Sequence, residues 1–293
     1  MLMSSIKKIN NIGIYMNSDK KESVEFAKAC IQFLQEKGKQ VGLMGIQAHE
    51  AQISNVVNYL KDDFYALQDC IIVLGGDGTL LGVARQAAQT GIPLCGINLG
   101  KLGFLTEGDK ENYKFVLDAL CQNDIEIETR MMINCEIQFK YKPWESFHGM
   151  NDVVVKNTKI RNMVIKSVVD GHEMDTFRGD GLIISTPTGT TAYSLAAGGP
   201  IVAPSMELMI VNPICPHRLH DRAYVVAAES KLELNFQATT KDIMLSIDGQ
   251  IGVPIGAEDK IVLTKSEHVA NLVRINNIDF YERIRRKLTY HEE

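Results

Sequence analysis

Cys70-Ile71-Ile72-Val73-Leu74-Gly75-Gly76-Asp77-Gly78-Thr79-Leu80-Leu81 changes character at its middle. Its first half is a continuous apolar run with branched side chains, the pattern of a strand buried on both faces, as in a parallel sheet. The run stops at Gly75-Gly76-Asp77-Gly78. Thr79 is then placed as an N-cap, and Leu80, Leu81, Val83, Ala84 and Ala87 form the apolar face of a helix predicted over 79–90. A glycine turn between a buried strand and a helix start bares main-chain N–H groups, which suits phosphate. Asp77 stands between glycines, with no neighbouring Cβ to shield its carboxylate. A phosphate cradle that also holds a carboxylate points to a metal-phosphate site, a base for phosphoryl transfer, or both. Gly-Asp-Gly is equally the composition of an Asx turn, and both readings stay open on this stretch alone.

Upstream, Ile12-Gly13-Ile14-Tyr15 reads as a first strand. Val24, Ala27, Ile31 and Leu34 recur at helical spacing before Gly38, and Val41 to Met44 reads as a second strand. Residues 50–60 are predicted helical, on a weak pattern. Downstream, Gly91 closes the helix after the glycine turn, Leu94-Cys95-Gly96-Ile97 is a further strand, and 109–122 is a helix. Strands alternating with helices at this spacing imply a parallel α/β unit, whose ligands gather at the carboxyl ends of the strands. The loop 98–105, rich in glycine yet apolar, falls at the same edge and is either a pocket wall or a packed turn.

Beyond residue 124 the texture changes to alternation: Ile125 to Thr129, Ile133 to Phe139, 153–155, 163–169, 182–184, 223–227, 232–236, 243–247 and 261–263. That is the signature of antiparallel sheets packed on each other, an all-β sandwich. The predicted division is an α/β domain over 1–124 and a sandwich over 125–268. In the remainder, 269–293, Phe280, Ile284 and Leu288 mark a terminal helix, with Arg283, Arg285, Arg286 and Lys287 as its solvated face.

Composition limits the function. The 293 residues are 45% hydrophobic and 23% charged with a net charge of −5, so a sizeable core is available and no basic field argues for nucleic acid. No run has the length of a membrane span, and MLMSSIKKIN lacks the apolar core of a signal peptide. The six cysteines show no CxxC spacing and read as free thiols in a reducing compartment, so the expected location is cytoplasmic. His217 and His220 follow Cys215-Pro216, but no further residues complete a ligand set, and a loop role is expected.

The second dense stretch is RGDGLIISTPTGTTAYSLAAGGP, residues 178–200. Leu182 to Ser185 is a strand, 186–191 a hydroxyl-rich turn, and Ala192 to Ala197 a short helix ending at Gly198-Gly199. The hydroxyls and helix-start amides offer donors to a polar ligand, and Tyr193 offers a flat face for a base. For any single Ser or Thr, a bond to its own backbone is the better reading. Asp248-Gly249 resembles a hairpin turn as much as a ligand group.

Taken together, Gly75-Gly76-Asp77-Gly78, the pair Asn151-Asp152 and the block 180–200 resemble the three motifs of the NAD kinase family, in order and spacing, over essentially the whole chain. The first motif is shared with diacylglycerol and sphingosine kinases and phosphofructokinases; the third is far more specific. Details of the block, with Gln250, are most similar to enzymes of Gram-negative bacteria. The resemblance implies an NAD kinase/diacylglycerol kinase-like fold. The implied activity moves the γ-phosphoryl of ATP, with a divalent metal (Mg²⁺), onto the 2′-hydroxyl of the adenosine ribose of NAD. It also implies a homodimer or homotetramer, and a tail that returns to the first domain.

Carried over by position, Asp77 is the implied general base and Gly78 admits the substrate. Asn151 and Asp152 are the implied holders of ribose hydroxyls. Thr191, Ala192, Tyr193, Ser194, Leu195 and Ala196 line the dinucleotide site with Thr188 close by, and Arg178, Asp180, Gln250 and Asn162 make further contacts. Where the family usually has Glu, this chain has Asp152, a carboxylate of shorter reach. No resident metal ligand is assigned, and Asp77 as base, as magnesium ligand or in both roles in turn stays open. Two other readings share the motifs. A lipid kinase would need a membrane-facing surface and a lipid pocket, neither of which is visible. A non-catalytic dinucleotide sensor would not need Asp77.

Overall fold

The computed structural model describes residues 8–100, 103–159, 163–218, 221–237, 242–275 and 278–288. The elements begin with β1 (Asn11–Tyr15), α1 (Lys21–Glu36), β2 (Gln40–Met44), α2 (Gly45–Glu50), β3 (Val57–Tyr59), α3 (Lys61–Ala66), β4 (Cys70–Leu74), α4 (Asp77–Ala87), β5 (Leu94–Asn98), β6 (Gly108–Asp109) and α5 (Tyr113–Gln122). A long run of strands follows: β7 (Glu126–Gln138), β8 (Glu145–Gly149), β9 (Asp152–Asn157), β10 (Met163–Val169), β11 (His172–Gly179) and β12 (Gly181–Ser185). After the short helix α6 (Tyr193–Ala196) come β13 (Leu208–Ile214), β14 (Tyr224–Ala227), β15 (Leu232–Phe236), β16 (Ile243–Ile247), β17 (Ile251–Ile255), β18 (Lys260–Arg274) and α7 (Phe280–Leu288). Contacts divide the chain into two compact units. One holds the described residues up to Thr129 and those from Ala270 on; the other spans Arg130–Val269.

The first unit is a parallel sheet in the order β3-β2-β1-β4-β5, with β6 and the end of β18 beside β5. Its interior strand β4 is buried at every residue, as its unbroken apolar run requires. Ile72 and Leu74 pack toward α1 and α5, whose apolar residues Val24, Ala27, Ile31, Leu34, Val116, Leu117 and Leu120 join the same core. Helices α3 and α4 pack on the other face. A Cβ at Gly96 of β5 would lie 2.6 Å from the Leu80 side chain of α4, so this glycine is what lets α4 approach. Burying Leu80 contributes about 2 kcal/mol.

In the second unit, the six-stranded antiparallel sheet β14-β13-β12-β9-β16-β17 turns one face inward. Val153, Val155, Leu182, Ile184, Leu245 and Ile247 from that face meet Ile133, Cys135, Ile165, Leu234, Ile261 and Leu263 in one core. The α/β domain and the antiparallel β domain are both as the two textures of the sequence require.

Four local expectations differ from the structure. Residues 50–60 hold the short strand β3 rather than a helix; it is only three residues long and largely exposed, and parallel pairing with β2 makes it. Helix α4 begins at Asp77 with Gly76 as N-cap, so Thr79 lies inside its first turn and caps nothing. The two alternating runs 125–129 and 133–139 are one strand, β7. Arg283 is not solvated: it is 7% exposed and donates from Nη1 to the Thr106 carbonyl (2.9 Å) and from Nη2 to Glu107 (2.7 Å). Arg274 of β18 reaches the same carboxylate at 3.2 Å, and the Ile275 N–H donates to its other oxygen at 3.0 Å.

Removing a partner from a buried charge costs far more than breaking an exposed pair. Arg283→Met is therefore expected to lower the unfolding free energy by about 3 kcal/mol. Arg286→Met, which loses only the exposed pair with Glu282, should cost less than about 0.5 kcal/mol. Urea titration of the two variants reads the difference.

Candidate active site

In the first unit the strand order reverses between β1 and β4, and the turn after β4 lies at the carboxyl edge of the sheet, where ligands of such folds bind. The Gly75 N–H donates to the Ile97 carbonyl (3.0 Å), which pins the turn to β5. A Cβ at Gly75 would lie 2.5 Å from Thr79 Oγ1, so the turn tolerates no side chain there. Asp77 opens α4, where the helix dipole favours an anionic group; the Thr79 N–H of that first turn already donates to the Gly76 carbonyl (3.0 Å). The Asp77 carboxylate is not left bare. Its Oδ2 accepts the N–H of Phe104 (2.8 Å) and its Oδ1 that of Leu105 (3.2 Å). A Cβ at Gly103 would lie 1.8 Å from Oδ1, so only glycine lets this main chain close over the acid. The 98–105 loop is thus both a packed turn and the clasp on Asp77; Lys101 and Leu102 lie outside the described residues. Among the described residues each oxygen accepts a single N–H and keeps a lone-pair direction for a hydroxyl proton. Gly78 is exposed beside it.

In the second unit three strand ends meet. Pairing of Asp152 with Ser185 and of Val153 with Ile247 sets the start of β9 between the ends of β12 and β16. Asp248, held at φ +50° in the hairpin turn after β16, turns its carboxylate back onto this start. It accepts the N–H groups of Met150 (3.1 Å), Asn151 (2.7 Å) and Asp152 (3.2 Å). Asp248 is therefore both a turn residue and an anchor. On the other side the Thr186 N–H donates to the Asn151 carbonyl (2.9 Å), and a Cβ at Gly189 would lie 2.0 Å from that same oxygen.

The hydroxyls of the third motif mostly serve the fold. Thr186 donates to the Met150 carbonyl (2.6 Å), Thr190 to that of Pro187 (2.7 Å) and Thr191 to that of Thr188 (3.1 Å). Thr188 accepts from Arg130 (3.1 Å), and Ser194 is fully buried against Asn212 (3.3 Å). The helix they build is shorter than expected, Tyr193–Ala196 after a 3₁₀ turn over Thr188–Thr191.

A cleft of about 430 Å³ brings together Asn151, Asp152, Ala192, Tyr193 and Gln250 with Ser246 and Asp248. A second, of about 360 Å³, is lined by Asp180, Tyr193 and Lys156. Thr188, Thr191, Ser194, Leu195 and Ala196 stand behind these walls or beside them rather than in them. Arg178 is exposed on β11, and its carbonyl accepts the His217 N–H (2.9 Å). Asn162 and His220 lie outside the described residues. Among the described residues no group of three His, Cys, Asp or Glu side chains is placed to hold a metal, and no helix is long and apolar enough to cross a membrane. Sequence reading missed Asn212 and Lys156, because only strand register brings them to this edge.

Asp152 is 4% exposed, and burial, followed by the charge of Asp248, pushes its carboxyl from 3.8 up to about 7. Between those values the folded chain holds a proton that the unfolded chain has released. Stability from this group is therefore fully present below the ordinary carboxylate range and falls as pH rises toward 7. Asp152→Asn should remove that fall, which reaches about 1.4 kcal/mol per pH unit at its steepest. Denaturant midpoints measured across this interval for both proteins check it.

Comparison with known proteins agrees with this arrangement. Residues 12–125 match the family model of the ATP-NAD kinase N-terminal domain, and residues 150–275 that of the C-terminal domain. An NAD kinase of Thermoanaerobacter sp. (strain X514) is 36% identical over 282 residues, covering 96% of this chain and 99% of its own. One from Caldanaerobacter subterraneus subsp. tengcongensis is 37% identical over 283 residues, covering 96% and 99%. The crystal structure of an NAD kinase from Archaeoglobus fulgidus in complex with ATP superposes with a TM-score of 0.73 at 26% identity, covering 95% of this chain and 98% of its own. Yeast NADH kinase complexed with NADH shares the fold, with a TM-score of 0.89 at 23% identity over 98% of this chain and 89% of that one. With both domain models matched in order and relatives aligned nearly end to end, the chain belongs to the NAD kinase family, the ATP-dependent phosphotransferases that make NADP from NAD.

Proposed function

We propose that Asp77 is the group that accepts the proton of the adenosine ribose 2′-hydroxyl as the γ-phosphoryl of ATP is transferred to it. The observation that carries this is the carboxylate's setting: at a helix N-terminus, between two glycines, oriented by two main-chain N–H groups yet with acceptor capacity left. A ribose hydroxyl is a poor nucleophile near neutral pH, and a positioned base contributes about 10²–10⁴-fold. In-line positioning and neutralisation of phosphate charge supply the larger part. Mg²⁺ would enter with ATP as its chelate and would neutralise phosphate charge.

In the second unit, the cleft lined by Asn151, Asp152, Ala192, Tyr193 and Gln250 takes the dinucleotide. Tyr193, 42% exposed, offers its ring to a base, and Asn151 and Asp152 face ribose hydroxyls. Thr188, Thr191 and Ser194 shape the walls, and Arg178, Asp180, Leu195 and Ala196 complete the binding set; in the first unit, Gly78 leaves the approach to Asp77 open. Six free thiols, four of them buried, suit a cytoplasmic enzyme. The working form is a homodimer or homotetramer, which light scattering checks.

Incubation with MgATP and NAD, read by an NADP-specific dehydrogenase, tests the activity. Asp77→Asn is expected to abolish nearly all turnover while NAD still binds; normal turnover would remove Asp77 from the reaction. Tyr193→Ala is expected to weaken NAD binding by about 1–3 kcal/mol, the worth of one base stacked on an aromatic ring. Calorimetry reads that loss directly.

A further inference from the structure

Along β9, residues 152, 154 and 156 share one face, because Val153 and Val155 between them belong to the sandwich core. Val154 on that outer face packs with Ile183 and Ile214. Lys156 follows it, opposite Gly181 of β12 and Met244 of β16. A Cβ at Gly181 would lie 2.3 Å from the Val155 carbonyl and 3.1 Å from Lys156 Cβ, so the neighbouring strand lays no side chain across the lysine stem.

Lys156 lines both clefts that flank Tyr193. The other cation there, Lys159, is bonded to Asp242 at 2.9 Å. Lys156 has no carboxylate partner among the described residues, although the larger cleft also contains Asp152 and Asp248. Those two stand at one end of the groove, and Lys156 stands four residues further along the same strand, about 13 Å away. One end of the groove therefore offers hydroxyl-binding carboxyls and the other an uncommitted ammonium. A nucleotide has the matching polarity, with hydroxyls on the sugar and charge on the phosphates. An ammonium on a flexible stem is suited to a phosphate oxygen.

We propose that Lys156 binds the diphosphate of the dinucleotide, an assignment that rests on the cleft being the dinucleotide site. Titration calorimetry on the full chain tests it with NAD, ADP-ribose, adenosine and adenosine 2′-monophosphate. Lys156→Met should weaken NAD and ADP-ribose about ten-fold, the worth of one charge-assisted hydrogen bond, and leave adenosine unchanged. Lys156→Arg should restore most of the affinity. Unchanged NAD affinity in Lys156→Met, with Tyr193→Ala still weakening it, overturns the assignment and leaves the cleft standing. If neither substitution affects NAD, the cleft reading falls and the assignment with it. Equal loss for adenosine makes the lysine a packing residue and also overturns it. A loss confined to adenosine 2′-monophosphate overturns it in favour of the phosphate that the reaction adds.

Discussion

A carboxylate that accepts main-chain N–H groups from a loop distant in sequence is the constraint on which both loop clusters depend. Asp77 does this for Phe104 and Leu105, and Asp248 does it for Met150, Asn151 and Asp152. Loops at strand ends carry amides that no ladder satisfies, and an amide left unpaired in a buried place is costly. An acidic side chain answers several such amides at once and, being charged, answers them strongly. The arrangement also fixes loop geometry without apolar bulk, which leaves the space beside the loop open to a polar ligand.

Glu107 applies the same chemistry to the chain's last segment. Its carboxylate takes the Ile275 N–H and two guanidinium groups, while those guanidinium groups also hold the carbonyls of Leu105 and Thr106. The residues clasped to Asp77 are thus themselves braced from behind by β18 and α7. This gives a physical reason why residues from Ala270 on belong with the first unit although the sandwich separates them in sequence.

What was legible in the sequence follows from the range of the forces involved. Strands β10, β15 and β16 could be read to the residue, because alternation over five to seven positions reports a half-buried strand directly. Strand β4 and its glycine turn were equally plain, since four apolar residues and three glycines leave few alternatives. The short strand β3 carries no such pattern; it exists because β2 offers it an edge. Arg283 looked like a solvated charge because helical spacing says nothing about a buried acid from another segment. The hydroxyls of 186–194 looked like a ligand cradle, yet Thr186 satisfies the Met150 carbonyl and Thr190 and Thr191 satisfy carbonyls of their own turn. Asp248 showed only its turn chemistry, because its three amide partners lie 96 to 98 positions earlier in the chain. For Arg283, Asp248 and Thr186 the decisive partner is remote in sequence.

The six thiols divide sharply. Those of Cys30, Cys70 and Cys135 are pushed by burial up to about 12, and that of Cys95 is raised as well, which leaves them inert while the sheets stay closed. Cys215, on the loop after β13, is exposed. An alkylating reagent or a maleimide dye thus meets the exposed Cys215 first, ahead of the partly exposed Cys121, which makes Cys215 a ready attachment point for a fluorophore beside the 178–200 segment. Slow reaction at the remaining sulfurs would then act as a clock for the opening of each sheet, since Cys70 and Cys95 sit in one unit and Cys135 in the other.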